Sequence, residues 1–583
     1  ASIFDITPAQ WQALNSSVGG RLQAGRPINL PCFSRYSNGS STPGSNAPDA
    51  SACAAAQNGK ADGAFISNHF GGYHSPNVQQ CVPTGQDCAI SAFLPVDPLS
   101  PLLRTCFQGT VPSYYVDCHS AADVQAGLAF VNNYSVPLVI KNTGHDYRAR
   151  STGQNTFALW THNIQPPLQF SENFTPSGCS ASAGPALTFG AGAQFQQLND
   201  FAHSQGHFMV AGASPSVGAS GGWVTGGGHS ALTTSYGLGV DNVLEMKAVL
   251  ANGQIVTANR CQNTDLFFAL RGGGGGTFAV ILETTSKLYK IVPMQSTSIV
   301  FAHLGVDQGS TFHKILLDNA EKWAAEGWGG YVLPGALQGT AATMNILTPK
   351  LTLAEAKDSM QPVVDFALSL GNVPVTINIT TLPNGYHDYI QQPMSELIGG
   401  FLGTGAILVS RLVPRQNFQT ESSKQQLVET FKTLNRNSQP NPVVPFYVLF
   451  IPPAAYELPS TDLPGGPGYA SVTPAWRDSL WHIVMPSIWD PADPTASGAG
   501  SVTQAYKDAH QAIDPLRQIT PNSGAYLNEA DIFEDNYPAT FWGQDNYDRL
   551  LSIKQQVDPK NIFTCFGCIG WDSSDERYGC YPQ

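Results

Sequence analysis

The stretch IKNTGHDYRARSTG, Ile140 to Gly153, sets His145 between a glycine and an aspartate at the end of an apolar run. Two more glycine-rich runs follow, GASPSVGASGGWVTGGGHS (212–230) and RGGGGGTF (271–278), each beside a predicted strand. Glycine lets backbone approach a ligand closely and turn its N–H groups inward, which suits a pyrophosphate or a flat aromatic ring. Three such loops predict a bound dinucleotide. The nicotinamide-type fingerprint is not in its proper place, because Gly272–Gly276 precedes a strand and does not open a helix; the Walker pattern is missing too. Side chains able to move protons cluster late in the chain: Tyr526, Asn528 and Glu529 in AYLNEAD, and His482. His162 in LWTHNI joins them, and His229 at the end of GGGHS reads as lining the bound dinucleotide. Cys565-x-x-Cys568 has metal-ligand spacing but no second matching pair, so it reads as structural and no metal site is expected.

These residues need a scaffold. YYVDC reads as a strand, Ser120 caps a helix over AADVQAGLAFVNNY, and PLVIK is the strand that delivers the His145 loop. A second unit runs from strand ALTFGAG through helix QFQQLNDFAHSQG. The hairpin VLEMKAVLANGQIV follows, turning at Asn252-Gly253, and then FFALRGGGGGTFAVILETTSKLY. Residues 1–110 are turn-rich and read as an arm clamped onto the rest. From 291 to 520 strands and helices alternate without glycine clusters, as in a different domain, and 521–583 form a C-terminal segment.

Composition narrows the function. A chain of 583 residues, 42% hydrophobic and only 12% charged, has ample core for two or more domains. A net charge of -13 without a Lys/Arg cluster excludes a nucleic-acid partner, and no apolar run is long enough to span a membrane. The start at Ala1, five Asn-x-Ser/Thr sequons (Asn15, Asn38, Asn133, Asn173, Asn378) and eleven cysteines predict a secreted, N-glycosylated, disulfide-bonded protein. Eleven is odd, so at least one thiol is unpaired within the chain.

IKNTGHDY, SPSVGASGGWVTGGGHSALTTSYGLGVDNVLEM, DLFFALRGGGGGTFAVI and YLNEAD…FWGQDNYDRLLSIKQQVDPKNIF occur in an order that resembles the vanillyl-alcohol-oxidase flavoproteins. The closest resemblance is to their berberine-bridge-enzyme-like branch and its secreted fungal members, from about Pro112 to Phe563. The resemblance implies an α+β chain: a two-subdomain FAD-binding domain of PCMH type over 111–290, a substrate domain with an antiparallel sheet flanked by helices, and a C-terminal return to the FAD domain. It implies a monomer acting on a small organic substrate and dioxygen. His145 matches the histidine bonded covalently to the flavin 8-methyl carbon. Lys141, Asn142, Thr143, Gly144, Asp146 and Ser151 match the loop around the cofactor. Ala213, Ser214, Val217, Gly218, Gly221, Gly222, Gly227, His229, Val280 and Asn528 match further cofactor contacts.

Two departures carry information. Many relatives form a second flavin link through a cysteine where this chain has Ser214, so a single histidyl link is expected. Val217 matches the position that gates oxygen, where a small residue suits an oxidase more than a dehydrogenase. Alkaloid-oxidising relatives place a glutamate just before an arginine in the substrate domain, whereas no acid precedes Arg477 here. Alcohol oxidation needs a group to take the hydroxyl proton. Read as a strand, AYLNEAD puts Tyr526 and Asn528 on one face and Glu529 on the other. Tyr526 is a base or a packing residue, Asn528 matches a family asparagine near the flavin, and His162 and His482 are further candidates. Arg148 and Arg150 read as surface charges. The alternatives are a dehydrogenase with another acceptor and a flavin-binding protein with little turnover.

Overall fold

The computed structural model describes every residue except 1, 40–42, 336–340, 393–401, 438–445 and 583. Ser40, the last residue of the Asn38 sequon, is outside the described residues. The elements around the His145 loop form as the periodicity predicts. Asp123 accepts hydrogen bonds from the backbone N–H groups of His119 (3.0 Å) and Ser120 (3.1 Å), opening the helix Ala121–Tyr134. Val124, Leu128 and Val131, spaced along one helix face, pack on Val116, Leu138, Phe157 and Leu159. Those residues lie in a four-stranded sheet ordered Leu22–Ala24, Tyr114–Asp117, Phe157–Trp160, Leu138–Lys141; the last three strands run parallel.

A five-stranded antiparallel sheet follows, ordered Ile255–Asn259, Val243–Val249, Val280–Lys287, Ala186–Gly190, Gln169–Ser171. The Asn252-Gly253 hairpin closes its edge. A seven-stranded antiparallel sheet lies between 294 and 489, ordered Val375–Leu382, Met294–Phe301, Ala342–Thr348, Gly329–Leu333, Tyr447–Phe450, Ser479–Trp489, Gly405–Pro414. Period-two alternation divides its side chains. Val332, Val448, Ile483 and Met485 pack with Phe312, Leu316, Met360, Val363, Leu427 and Phe431 of three helices, Val306–Ala325, Leu353–Ser369 and Glu421–Asn437. Tyr331, Leu412, Tyr447, Leu449 and Val484 face the other way and join one core with residues of the glycine-rich loops. The helices thus cover one face of this sheet, and the other roofs the glycine-rich loops.

The N-terminal 110 residues carry more regular structure than their turn-rich composition suggests. Helices Pro8–Ser17 and Ala50–Gly59 open on the side chains of Thr7 and Asp49, and Leu22–Ala24 adds an edge to the first sheet. Disulfides Cys32–Cys53 and Cys88–Cys106 tie this segment internally, and Cys81–Cys580 joins it to the C-terminus. Cys179–Cys261 and Cys565–Cys568 complete five bridges, leaving Cys118 buried and free. No described helix is long and apolar enough to cross a membrane.

The late segment corrects the sequence reading. AYLNEAD is not a strand: Leu527–Glu529 is a 3-10 turn, so alternation does not apply. Tyr526, Asn528 and Glu529 all reach the same cleft.

Candidate active site

The cleft lies between the glycine-rich loops and the seven-stranded sheet and encloses, with its open solvent, about 1500 Å³. From the first loop Asn142, Thr143, Gly144, His145, Asp146 and Ser151 line it; from the second, Ala213, Ser214, Val217, Gly218, Gly221, Gly222 and His229. Tyr526, Asn528 and Glu529 close one side. The backbone must come this close: a Cβ at Gly218 would sit 1.9 Å from Asn142 Oδ1, and Gly144, at φ +91°, would press one to 2.7 Å from the Gly72 carbonyl.

Four expected residues lie elsewhere. The Lys141 ammonium turns beneath the loop, 4.8 Å from the Tyr73 ring centre and near Phe70 and Trp160, where burial pushes it down to about 7. Val280 packs into the core of the first sheet, and by alternation its neighbours Ala279 and Ile281 line the cleft. Gly227 lies behind the Tyr526 ring. His162 stacks on Trp160 and bonds Asn68 Oδ1 at 2.9 Å, outside the cleft.

His145 is held from two sides. Its ring stacks on His74 with centroids 3.4 Å apart, and its Nε2 lies 2.9 Å from Ser216 Oγ. Burial pushes the imidazole down to about 3, with the Lys141 charge acting in the same direction and Ser216 opposing. The ring is therefore neutral and nucleophilic at physiological pH. Ser214 Oγ is 3.4 Å from Ser216 Oγ, so two hydroxyls stand where a thiol would be needed for a second link. Ser216 carries no motif of its own, so nothing in the sequence marks it.

Arg150 is not a surface charge. Its side chain is 6% exposed and pairs with Asp146 four residues earlier; its Nη2 also donates to Asn528 Oδ1 at 2.8 Å. Burial alone would raise the Asp146 carboxyl, but Arg150 holds it below the usual range. The i,i+4 spacing of Asp146 and Arg150 was the available signal. Arg148 is buried as well, its guanidinium 4.8 Å from the Phe541 ring centre and its Nη1 donating to the Leu527 carbonyl. Asn528 Nδ2 donates to the Gly222 carbonyl and to Tyr526 Oη, both at 2.7 Å. Burial, then the charge of Glu529, push the Tyr526 phenol far above its usual range, so a phenolate is costly there.

Glu529 joins two histidines from distant segments. Its Oε1 accepts from His229 Nε2 and its Oε2 from His482 Nε2, each at 2.8 Å. Burial alone would raise this carboxyl, yet the two histidines hold it well below the usual carboxylate range. His482 is fully buried, and burial lowers its imidazole against the opposing pull of Glu529. By alternation with Trp481 and Ile483, whose side chains meet the helices, His482 faces the cleft side of its strand. Tyr331 of the same sheet lines the cleft without any sequence signal.

The cleft suits a large polar, partly flat cofactor. Among the described residues Asn142 Oδ1, Ser151 Oγ and Arg150 Nη1 are buried without a hydrogen-bond partner, and all three residues line it. Backbone-walled loops, orphaned donors and acceptors and a neutral cleft-lining histidine together define a flavin-linked oxidoreductase. The family model described as an FAD binding domain matches residues 112–259, and the model described as berberine and berberine like matches 525–565. The FAD-linked oxidoreductase ffsJ of Aspergillus flavipes is 32% identical, the alignment covering 97% of this chain and 93% of the relative. The VAO-type flavoprotein oxidase VAO615 of Thermothelomyces thermophilus is 31% identical over 96% and 91%. The crystal structure of VAO-type flavoprotein MtVAO615 from Myceliophthora thermophila C1 superposes with a TM-score of 0.81 at 29% identity, covering 99% of this chain and 97% of that one. The chain belongs to the fungal FAD-linked oxidoreductases of the vanillyl-alcohol-oxidase type, in the berberine-bridge-enzyme-like branch.

Proposed function

We propose that this protein is a secreted oxidase that carries FAD on His145 alone, takes hydride from an alcohol, hemiacetal or related secondary metabolite, and reduces dioxygen to hydrogen peroxide. The observation that carries the reading is the buried, neutral His145 on the cleft wall, with Ser214 and Ser216 in place of any thiol. Bound FAD would supply the hydride acceptor and the oxygen-reactive reduced form. Asn142, Ser151 and Arg150 would meet its polar groups, since their orphaned atoms require partners. Asn528 and Tyr526 would position it through their hydrogen bonds to the Gly222 and Trp223 carbonyls. The substrate hydroxyl would approach the His229–Glu529–His482 cluster, two members of which line the cleft, whereas a Tyr526 phenolate is costly. Val217, small and on the cleft wall, leaves room for oxygen.

That the relative VAO615 is a flavoprotein oxidase by name supports this reading over a dehydrogenase. Five disulfides and exposed sequon asparagines at Asn133, Asn173 and Asn378 support secretion with N-glycans. We divide the chain at about 110, 290 and 520 and take it as a monomer. The test is denaturing electrophoresis followed by in-gel flavin fluorescence and peptide mass spectrometry. Flavin on the His145 peptide supports the reading; a dark band, or flavin on a cysteine peptide, refutes the single histidyl link. A peroxide screen over alcohols and sugars then tests the oxidase.

A further inference from the structure

We propose that His229, Glu529 and His482 form a divalent-cation site, of the kind that takes zinc, on the wall of the substrate cleft. The three side chains come from the second glycine-rich loop, the strand Ser479–Trp489 and the turn Leu527–Glu529. One ligand atom from each lies within 4.8 Å of the other two. The imidazole rings are 5.8 Å apart at 51°, so they do not stack, and both Nε2 atoms aim at the same carboxylate. Each Nδ1 is buried without a partner among the described residues, which makes Nε2 the only anchored atom of either ring.

Two physical arguments favour a cation over a plain hydrogen-bonded trio. First, among the described residues Glu529 forms ion pairs only with these histidines and with no lysine or arginine, although its side chain is only 19% exposed. A largely desolvated carboxylate without a permanent counter-charge is costly, and a divalent ion removes that cost. Second, two imidazole nitrogens and one carboxylate oxygen are the donor set of three-ligand zinc sites that keep one position open. His229 and Glu529 line the cleft, so the open position faces it and would take a substrate hydroxyl oxygen. This deepens the proposed function, since it rests on the cleft being where the alcohol binds. It names the substrate class as alcohols or hemiacetals whose oxygen can ligate a cation.

The test uses the flavin-bearing full chain purified without chelators. Elemental analysis should find about one divalent ion per chain, and after chelator treatment added Zn²⁺ should rebind at about 1:1 by calorimetry. Glu529→Gln and His482→Asn should each lower occupancy by about tenfold or more, with the flavin absorbance per chain reporting that the variants remain folded. If the variants lose flavin, anomalous scattering at the zinc edge from crystals of the wild-type protein locates the ion. A peak between the three side chains supports the site, and its absence overturns it. Metal-free wild-type protein that takes up no Zn²⁺, or uptake unchanged in both variants, also overturns the site. In that case peroxide formation from an alcohol would leave the oxidase reading standing. Stoichiometric zinc with no oxidation of any alcohol would instead remove the oxidase reading and keep the site.

Discussion

Ser216→Ala tests how the chain readies His145. Ser216 Oγ lies 2.9 Å from His145 Nε2, and burial pushes the imidazole down to about 3, so at neutral pH the ring carries one proton. With that proton on Nε2 and donated to Oγ, the Nδ1 lone pair is free, which is the form covalent attachment requires. A hydrogen bond between neutral groups contributes about 0.5–1.5 kcal/mol net, so deleting the hydroxyl should slow flavin attachment by about 2- to 12-fold without abolishing it. His145→Ala should abolish it. The assay incubates apo-protein from riboflavin-starved cells with FAD, denatures timed samples and reads in-gel fluorescence. Gly63→Ala is an independent probe, because its Cβ would lie 2.3 Å from Ser216 Oγ and displace the hydroxyl; it should slow attachment in the same direction. Attachment should be flat from about pH 5 to 8, where His145 stays neutral. Unchanged rates in Ser216→Ala, or a rate that climbs with a midpoint near the ordinary histidine value of 6.5, would refute the reasoning.

Tyr526→Phe loses the hydrogen bond from Asn528, worth about 1 kcal/mol, so kcat/KM on a confirmed substrate should fall less than about tenfold. A loss beyond about a hundredfold would reinstate Tyr526 as the base. Val217→Leu should slow oxygen uptake by the reduced protein while leaving anaerobic bleaching by substrate unchanged; equal slowing of both contradicts an oxygen gate. His313 is fully buried beside Phe431 and Phe446, neither ring nitrogen has a partner among the described residues, and burial pushes it down to about 4. Its folded value lies below the unfolded one, so the associated stability is complete above about pH 6.5 and is lost as pH falls towards 4. That loss is at most about 3 kcal/mol, and His313→Phe should raise Tm more at pH 4.5 than at pH 8. An equal change at both pH values would show that the ring is not desolvated.

Much of the scaffold was legible because its signals are local. The helix Ala121–Tyr134, the hairpin at Asn252-Gly253 and the strand Leu138–Lys141 follow from side-chain period and turn residues within a dozen positions. Near 526 local pattern misleads: the segment forms a 3-10 turn and not a strand, so alternation does not hold and Glu529 lines the cleft. Arg148 and Arg150 read as surface charges because a charged side chain in a glycine-flanked loop is normally solvated. Here Asp146, Asn528 and the Phe541 ring supply the partners that make burial tolerable.

By itself the sequence determined the glycine loops, the histidine presented by the first of them, the absence of a thiol at Ser214 and the sheet-forming segments. Each depends on residue type and short-range spacing. Only the tertiary structure decided which ionisable groups meet. His229 and Glu529 are 300 positions apart and touch at 2.8 Å, and His482 arrives on a strand whose motif content is poor. Such contacts are set by how the seven-stranded sheet packs over the glycine loops and by how the C-terminal turn returns to them. Burial then sets the charge states: the same packing that neutralises His145 raises the Tyr526 phenol and leaves Glu529 charged between two imidazoles.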